Sequence, residues 1–215
     1  MKINIHTHCK PFRDEIIIRN GYLALNKEQI QRLPYFVSLG LHPWKVSEAF
    51  EKDIQGLYEL LSLEKVVVMG EIGIDRAIKT PIPLQVKAFE AQLEIAQALQ
   101  KPVIIHAVRT YSLFVPFAKK TTVPFIFHQF MGNEVELKQL LSSPSYFSFG
   151  KNLWENHANS FNNFKTLPLE RIFLETDTLP FPIEKIYLRA AQIKRLEVAQ
   201  VEQEMKRNFD KIIKS

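Results

Sequence analysis

Short runs rich in Val, Ile and Phe recur along the chain, and as a set they carry little period-two polarity. The clearest are KINIH (2–6), YFVSLGLH (35–42), KVVVMGEIG (65–73), PVIIHA (102–107), PFIFH (124–128), SYFSFG (145–150) and RIFLETD (171–177). A strand with one wet face shows period-two polarity; a strand buried on both faces does not. These runs predict strands of a parallel sheet covered on both sides. Helical patterns separate them. Ser47 is placed to cap a helix over AFEKDIQGLYELL (49–61). LQVKAFEAQLEIAQALQ (84–100) gathers its apolar residues on one face, and Asn133 caps NEVELKQLL (133–141). The last segment, EKIYLRAAQIKRLEVAQVEQEMKRNFDKII (184–213), reads as helix with room for one break. Strand and helix alternating at this spacing indicate βα units.

A (β/α)8 barrel needs one strand more, and EIIIRNGYLAL (15–25) is the only segment that can supply it. It follows the first strand after about ten residues, fewer than a helical crossover uses. Either a loop replaces the first helix, or this segment forms a local hairpin. The expected fold is α/β, a TIM-type barrel trimmed or distorted near the first βα unit. It forms one domain over residues 1–215, a length that a single core can fill.

The polar residues fall in a pattern. His6 and His8 follow the first run, Glu71 ends VVVMGE, His106 ends PVIIH, His128 ends PFIFH and Asp177 ends IFLETD. In a βα barrel the C-terminal strand ends converge on one face, so residues far apart in sequence become neighbours there. Imidazoles and carboxylates are ligands for zinc, manganese and related divalent ions. Side chains alternate along an extended segment, so His6 and His8 point the same way. Six ligands are too many for one ion. Two ions sharing a carboxylate would use them all, and such a pair activates water for in-line displacement. Any one of these residues alone reads as an ordinary hydrogen-bonded His, ion pair or cap. Together, four histidines and two acids at equivalent positions are poorly explained by accident.

These residues resemble the TatD family of metal-dependent deoxyribonucleases, among the amidohydrolase-like barrels. NIHTH (4–8) resembles its opening D-x-H-x-H, GLHPW (40–44) its G-[IL]-H-P block and GEIGID (70–75) its G-E-[IT]-G-L-D block. Gln85, Phe89 and Gln92 keep its Gln-Phe-Gln helix, PVIIH (102–106) its P-V-x-[IL]-H block and FHQFMG (127–132) its H-x-F-x-G block. YFSFG (146–150), LETD (174–177) and the closing Asn208-Phe209 complete the order. The resemblance implies a TIM-type barrel holding two divalent ions (Zn, Mg or Mn). It implies that His6 and His8 bind one ion, that Glu71 bridges, that His106 and His128 bind the second, and that Asp177 joins the first. It also implies hydrolysis of DNA phosphodiester bonds through a metal-bound hydroxide, with Asp177 taking a proton from the attacking water. Three departures stand out. Asn4 replaces the usual Asp, Ala107-Val108-Arg109 replaces Ser-Arg-[Asp/Glu], and one residue is inserted before Pro180.

Further candidates surround this set. His42 is placed to donate to a substrate phosphate, to support a ligand from behind, or to anchor a loop. Asp75 and Glu175 flank ligands and are placed to orient them. Arg109 is placed to meet a phosphate. Trp44, Lys45, Arg76, Lys79 and Lys151 lie in expected loops of the same face, where stacking and charge suit a single strand. Cys9 is expected as a packed thiol and His157 as a surface residue.

The net charge is +5, which favours an anionic partner such as DNA only mildly. Cys9 is the single cysteine, so no intrachain disulfide forms, as suits a reducing compartment. No apolar run is long enough for a signal peptide or a membrane span. The expected setting is cytoplasmic, with no membrane and no obligate protein partner. A small-molecule amidohydrolase acting on an amide, ester or lactone uses the same water activation, and a non-catalytic metal-binding relative is the third reading.

Overall fold

The computed structural model describes residues 1–21, 23 and 25–213. Eight strands form one sheet in sequence order, and every adjacent pair is parallel. They are β1 (Lys2–Thr7), β2 (Glu15–Asn20), β3 (Phe36–Leu39), β4 (Val66–Asp75), β5 (Val103–Val108), β6 (Phe125–Phe127), β7 (Ser145–Phe149) and β8 (Ile172–Leu174). The sheet curls into a nearly closed barrel. All ten residues of β4 are buried, as the unbroken apolar runs require.

β2 is the expected extra strand, and it runs parallel to β1 from the pair Lys2–Glu15 onward. The hairpin alternative is therefore excluded, and a loop over residues 8–14 replaces the first helix. Such a loop, fully extended, reaches about 25 Å. That suffices to return along a strand about 17 Å long. Tyr22 and Ala24 of the expected segment 15–25 lie outside the described residues.

Helices follow the other strands: α1 (Lys27–Gln31), α2 (Phe50–Asp53), α3 (Leu57–Leu61), α4 (Ile82–Ala98), α5 (Tyr111–Lys120), α6 (Glu134–Leu141), α7 (Lys151–Trp154), α8 (Ala158–Thr166), α9 (Glu184–Lys194) and α10 (Val198–Ile212). Asn133 caps α6 in a reciprocal box with Glu136, as expected. The helix expected over 49–61 is instead two short pieces. Gly56 adopts φ +81° between them, and the Ser47 hydroxyl accepts from Ala49 N without capping a long helix. The C-terminal stretch breaks once, where Arg195 turns left-handed at φ +56°. No described helix is long and apolar enough to cross a membrane.

The barrel closes incompletely between β8 and β1. At the C-terminal rim a single parallel bridge joins Thr7 to Asp177; His8 N donates to Asp177 O at 2.9 Å and Asp177 N donates to His6 O at 3.1 Å. Lower down, the Tyr187 hydroxyl of α9 stands in for the missing strand pairing. It accepts from Ile3 N at 2.9 Å and donates to Ile3 O at 3.0 Å. Tyr187→Phe leaves both Ile3 groups buried and unpaired, so about 2 kcal/mol of stability should be lost. Urea denaturation reads this directly, and an unchanged midpoint would show that the seam is held by other contacts.

Candidate metal centre

Glu71 is the hub. Its Oε2 lies 3.5 Å from His6 Nε2 and 3.9 Å from His8 Nε2. Its Oε1 lies 2.7 Å from His106 Nδ1, 3.5 Å from His128 Nε2 and 3.4 Å from His42 Nε2. Asp177 Oδ1 completes the first side, 3.3 Å from His8 Nε2 and 3.8 Å from His6 Nε2. The six residues singled out in the sequence thus meet at one point, with one carboxylate facing a different cluster through each oxygen.

The strands reach that point differently from the sequence expectation. Glu71 and His106 lie inside β4 and β5, not at their ends, because pairing continues past them to Asp75–Val108. The β4–β5 register shifts between Met69 and Ile72, and this irregularity turns Glu71 inward. Gly73 pairs with His106 at φ +155°, and a Cβ there would fall 2.0 Å from His106 O, so only glycine allows the two strands to approach. His128 follows β6 directly. Asp177 follows β8 at φ +53°, a left-handed conformation that Asp tolerates better than most residues.

Outer partners fix the rings. His128 Nδ1 is 2.7 Å from Glu175 Oε1, and His106 Nε2 is 3.0 Å from Asp75 Oδ2. Asp75 also accepts from Trp44 Nε1 at 2.7 Å. A carboxylate behind each imidazole sets its tautomer and aims the other nitrogen inward. His42 is built the other way. Its Nδ1 accepts from Trp44 N at 3.2 Å, so the neutral ring carries its proton on Nε2 and presents an N–H to Glu71.

Several features fit a metal. The carboxylates of Glu71, Asp75, Glu175 and Asp177 form their described ion pairs with histidines alone, leaving strong negative charge at the core of the site. His6 is fully buried, and neither ring nitrogen has a hydrogen-bond partner. Ligands about 2.1 Å from a tetrahedral ion stand about 3.4 Å from one another. The His6, His8, Glu71 and Asp177 atoms, 3.3–3.9 Å apart, come near that spacing. Ligand-like spacing also holds for His6, Glu71 and His128, and for His42, Glu71 and His106.

The charges respond to this packing. Burial, reinforced by His128, pushes His6 down to about 3. Burial also works against a charged His128, but Glu175 and Glu71 outweigh it and raise the ring to about 10. Burial would raise Glu71; His128, His106 and His42 hold it well below the usual carboxylate range instead. Burial likewise opposes ionised Asp177, and the contact with His8 holds it low. Without a metal, the site's negative charge is met by a proton on His128.

Supporting residues were less visible in the sequence. Gln85 accepts from Asp75 N at 2.7 Å and donates to Asp75 O at 3.0 Å; Gln92 accepts from Leu41 N at 2.7 Å and donates to Leu41 O at 3.3 Å. Two buried glutamines on one face of α4 therefore clamp the backbones beside Glu71's strand end and beside His42. Their signal was two polar residues on an otherwise apolar face. Asn20 of β2 donates to Glu71 Oε2 at 3.4 Å, and the sequence reading missed it. Asn4 uses both ends of its amide, accepting from Thr176 N at 3.1 Å and donating to Thr176 Oγ1 at 2.9 Å. Thr176 donates in turn to Thr7 Oγ1, which donates to Asp177 O. Asn4 thus reaches the site through hydroxyls, a relay that a carboxylate at this position could not start as donor.

The remaining candidates lie further out. Trp44 and Lys45 are exposed and line an open cleft of about 620 Å³ over the centre, together with Thr178. Arg76, Lys79 and Arg109 are exposed beyond the cluster's described contacts, and Lys151 pairs with Glu155 at 4.0 Å. Cys9 Sγ contacts Leu179 O at 3.8 Å, and His157 is exposed at the start of α8.

A family profile described as "TatD related DNase" matches residues 22–214. The chain belongs to the TatD family. β1, which carries His6, and His8 directly after it precede the matched range. A TatD relative from Citrobacter rodentium, named "3'-5' ssDNA/RNA exonuclease TatD", is 32% identical, covering 76% of this chain and 71% of its own length. The human "3'-5' RNA nuclease TATDN2" is 31% identical over 65% of this chain but only 19% of its own length. The chain thus spans a small part of the human relative. Among solved structures, the TatD homologue YjjV from Escherichia coli superimposes with a TM-score of 0.82 at 21% identity, covering 99% of this chain and 97% of that one. That match establishes a shared TatD barrel.

Proposed function

We propose that this chain is a hydrolase that cuts phosphodiester bonds of DNA, preferentially single-stranded, with two divalent ions held by His6, His8, Glu71, His106, His128 and Asp177. One observation carries the reading: Glu71 faces two ligand clusters through separate oxygens at the floor of an open cleft. Bound there, the ions would supply an activated water and neutralise charge on the phosphoryl group.

The chain's own residues do the rest. Asp177 is ionised at neutral pH, so Oδ1 can accept the proton of the attacking water. Its backbone is fixed by bonds from His8 N and Thr7 Oγ1 to its carbonyl. Glu175 and Asp75 hold His128 and His106 in orientation. The His42 N–H faces the same centre, where it can donate to a phosphate oxygen. Trp44 offers an exposed ring and Lys45 a cation at the cleft mouth, which suits a base and a phosphate. The names of the relatives, which include ssDNA and RNA, support a nucleic-acid substrate. The lone Cys9 supports a cytoplasmic setting.

The test is incubation of labelled single-stranded DNA with purified protein and Mg²⁺, Mn²⁺ or Zn²⁺. The expected result is metal-dependent cleavage that Asp177→Asn reduces by about 10²–10³-fold. No cleavage with any of these ions would overturn the reading, and turnover of an amide or lactone would replace it with the amidohydrolase one.

A further inference from the structure

A second aromatic and basic surface occupies the same rim, beyond β7 and β8. α7 begins directly after β7, which places Trp154 at the C-terminal side of that strand. Phe181 lies in the connection from β8 to α9, three residues past Thr178, a wall of the cleft over the metal centre. The rings of Trp154 and Phe181 pack with centroids 5.5 Å apart, tilted by 53°. Lys185 Nζ stands 4.9 Å over Phe181, and the Arg189 guanidinium stands 5.8 Å over Phe161 while donating to Asn156. Trp154, Lys185, Leu188 and Arg189 line a groove of about 460 Å³.

Two properties select the occupant. The groove keeps large apolar side chains in solvent: Trp154 is 42% exposed and Leu188 48% exposed. Both tryptophans of the chain are exposed on this one rim, Trp44 at the cleft and Trp154 here. In addition, neither Lys185 nor Arg189 has a carboxylate within ion-pair distance among the described residues, and the nearby Glu155 is taken by Lys151. Exposed rings beside unpaired cations complement the bases and phosphates of a single strand. A neutral or basic peptide would leave those cations unanswered.

We infer that the Trp154–Lys185–Arg189 groove is a second strand-binding site, which takes a base and its phosphate from the part of a single-stranded nucleic acid that runs away from the scissile bond. The inference rests on the nuclease reading for its substrate class. It predicts a dependence on substrate length. A short oligomer occupies the cleft alone, whereas a longer one reaches both sites and binds more tightly.

The experiment compares oligothymidylates of about three and about fifteen nucleotides, with wild type, Trp154→Ala, Trp154→Phe and Lys185→Glu. Trp154→Ala and Lys185→Glu should raise KM for the long oligomer about tenfold, leave the short one unchanged and keep kcat. Trp154→Phe, which retains a stacking face, should recover most of the loss. Equal effects on both lengths, or none on the long one, would overturn the proposal. Should neither oligomer be cleaved, the nuclease reading fails by itself and binding decides this one. The long oligomer should quench wild-type tryptophan fluorescence more than that of Trp154→Phe, and Lys185→Glu should abolish the difference. Equal quenching would overturn it.

Discussion

Glu71→Gln is expected to lower kcat/KM for hydrolysis by about a thousandfold or more, since changing even a group behind a ligand costs about 10–100-fold in metal affinity. Glu71 faces both candidate ion sites, one through each carboxylate oxygen. Its Oε2 meets His6 and His8, and its Oε1 meets His106 and His128. Glutamine keeps the shape but replaces one ligand oxygen with an NH₂ that can only donate. Whichever way the amide turns, one cluster loses its shared oxygen, and both lose the negative charge. The barrel should survive, because Glu71 makes its contacts with side chains of the site while its strand neighbours Met69 and Ile72 hold the β4–β5 pairing. Metal content by mass spectrometry should fall below that of wild type, and added metal should no longer raise the melting temperature. A variant that kept both its metal and its turnover would remove Glu71 from the centre of the mechanism.

Much of this arrangement was legible in the sequence because strands and ligands each leave a local mark. A run such as PVIIH carries both its burial and its His in consecutive letters. The residues that resisted sequence reading act through geometry that only the assembled barrel supplies. His42 read as a substrate, ligand-supporting or loop histidine, and only β3 beside β4 brings its Nε2 to 3.4 Å from Glu71. Trp44 suggested a stacking platform, and its indole N–H also proves to hold Asp75 behind His106. Gln85 and Gln92 were visible as a pattern, but their partners are backbone atoms of other elements, which no spacing reveals. Glu71 and His106 were expected at strand ends. They lie inside their strands because β4–β5 pairing, across a register irregularity invisible in composition, continues past them to Asp75 and Val108. The split at Gly56 was readable in principle, since a glycine within a marginal helix favours a break.

The same packed charges that would hold ions make the metal-free protein sensitive to pH from both sides. An unfolded histidine titrates near 6.5. His6 in the folded chain is pushed to about 3, so between those values the unfolded state binds a proton that the folded state refuses. Falling pH therefore favours unfolding across this window, and His42, also lowered, adds to the effect. Glu175, raised by burial, works in the opposite direction near the acid end and softens that limb. His128 has the reverse sign from His6. Raised to about 10, it contributes stability that is complete below 6.5 and is lost as pH climbs toward 10. The limbs from His6 and His128 are each worth on the order of 5 kcal/mol at full extent. Urea midpoints of chelator-treated protein should thus peak near pH 6.5 and decline on either side. His128→Asn should flatten the alkaline limb and also soften the acid one, because His128 helps to hold His6 low. Saturating divalent metal should flatten it too, because a ring that ligates an ion carries no proton there to lose. A metal-free protein whose midpoint stayed level from neutral to strongly alkaline pH would show that His128 does not hold its proton against Glu71 and Glu175, and the case for a cation-seeking centre would lose its electrostatic support.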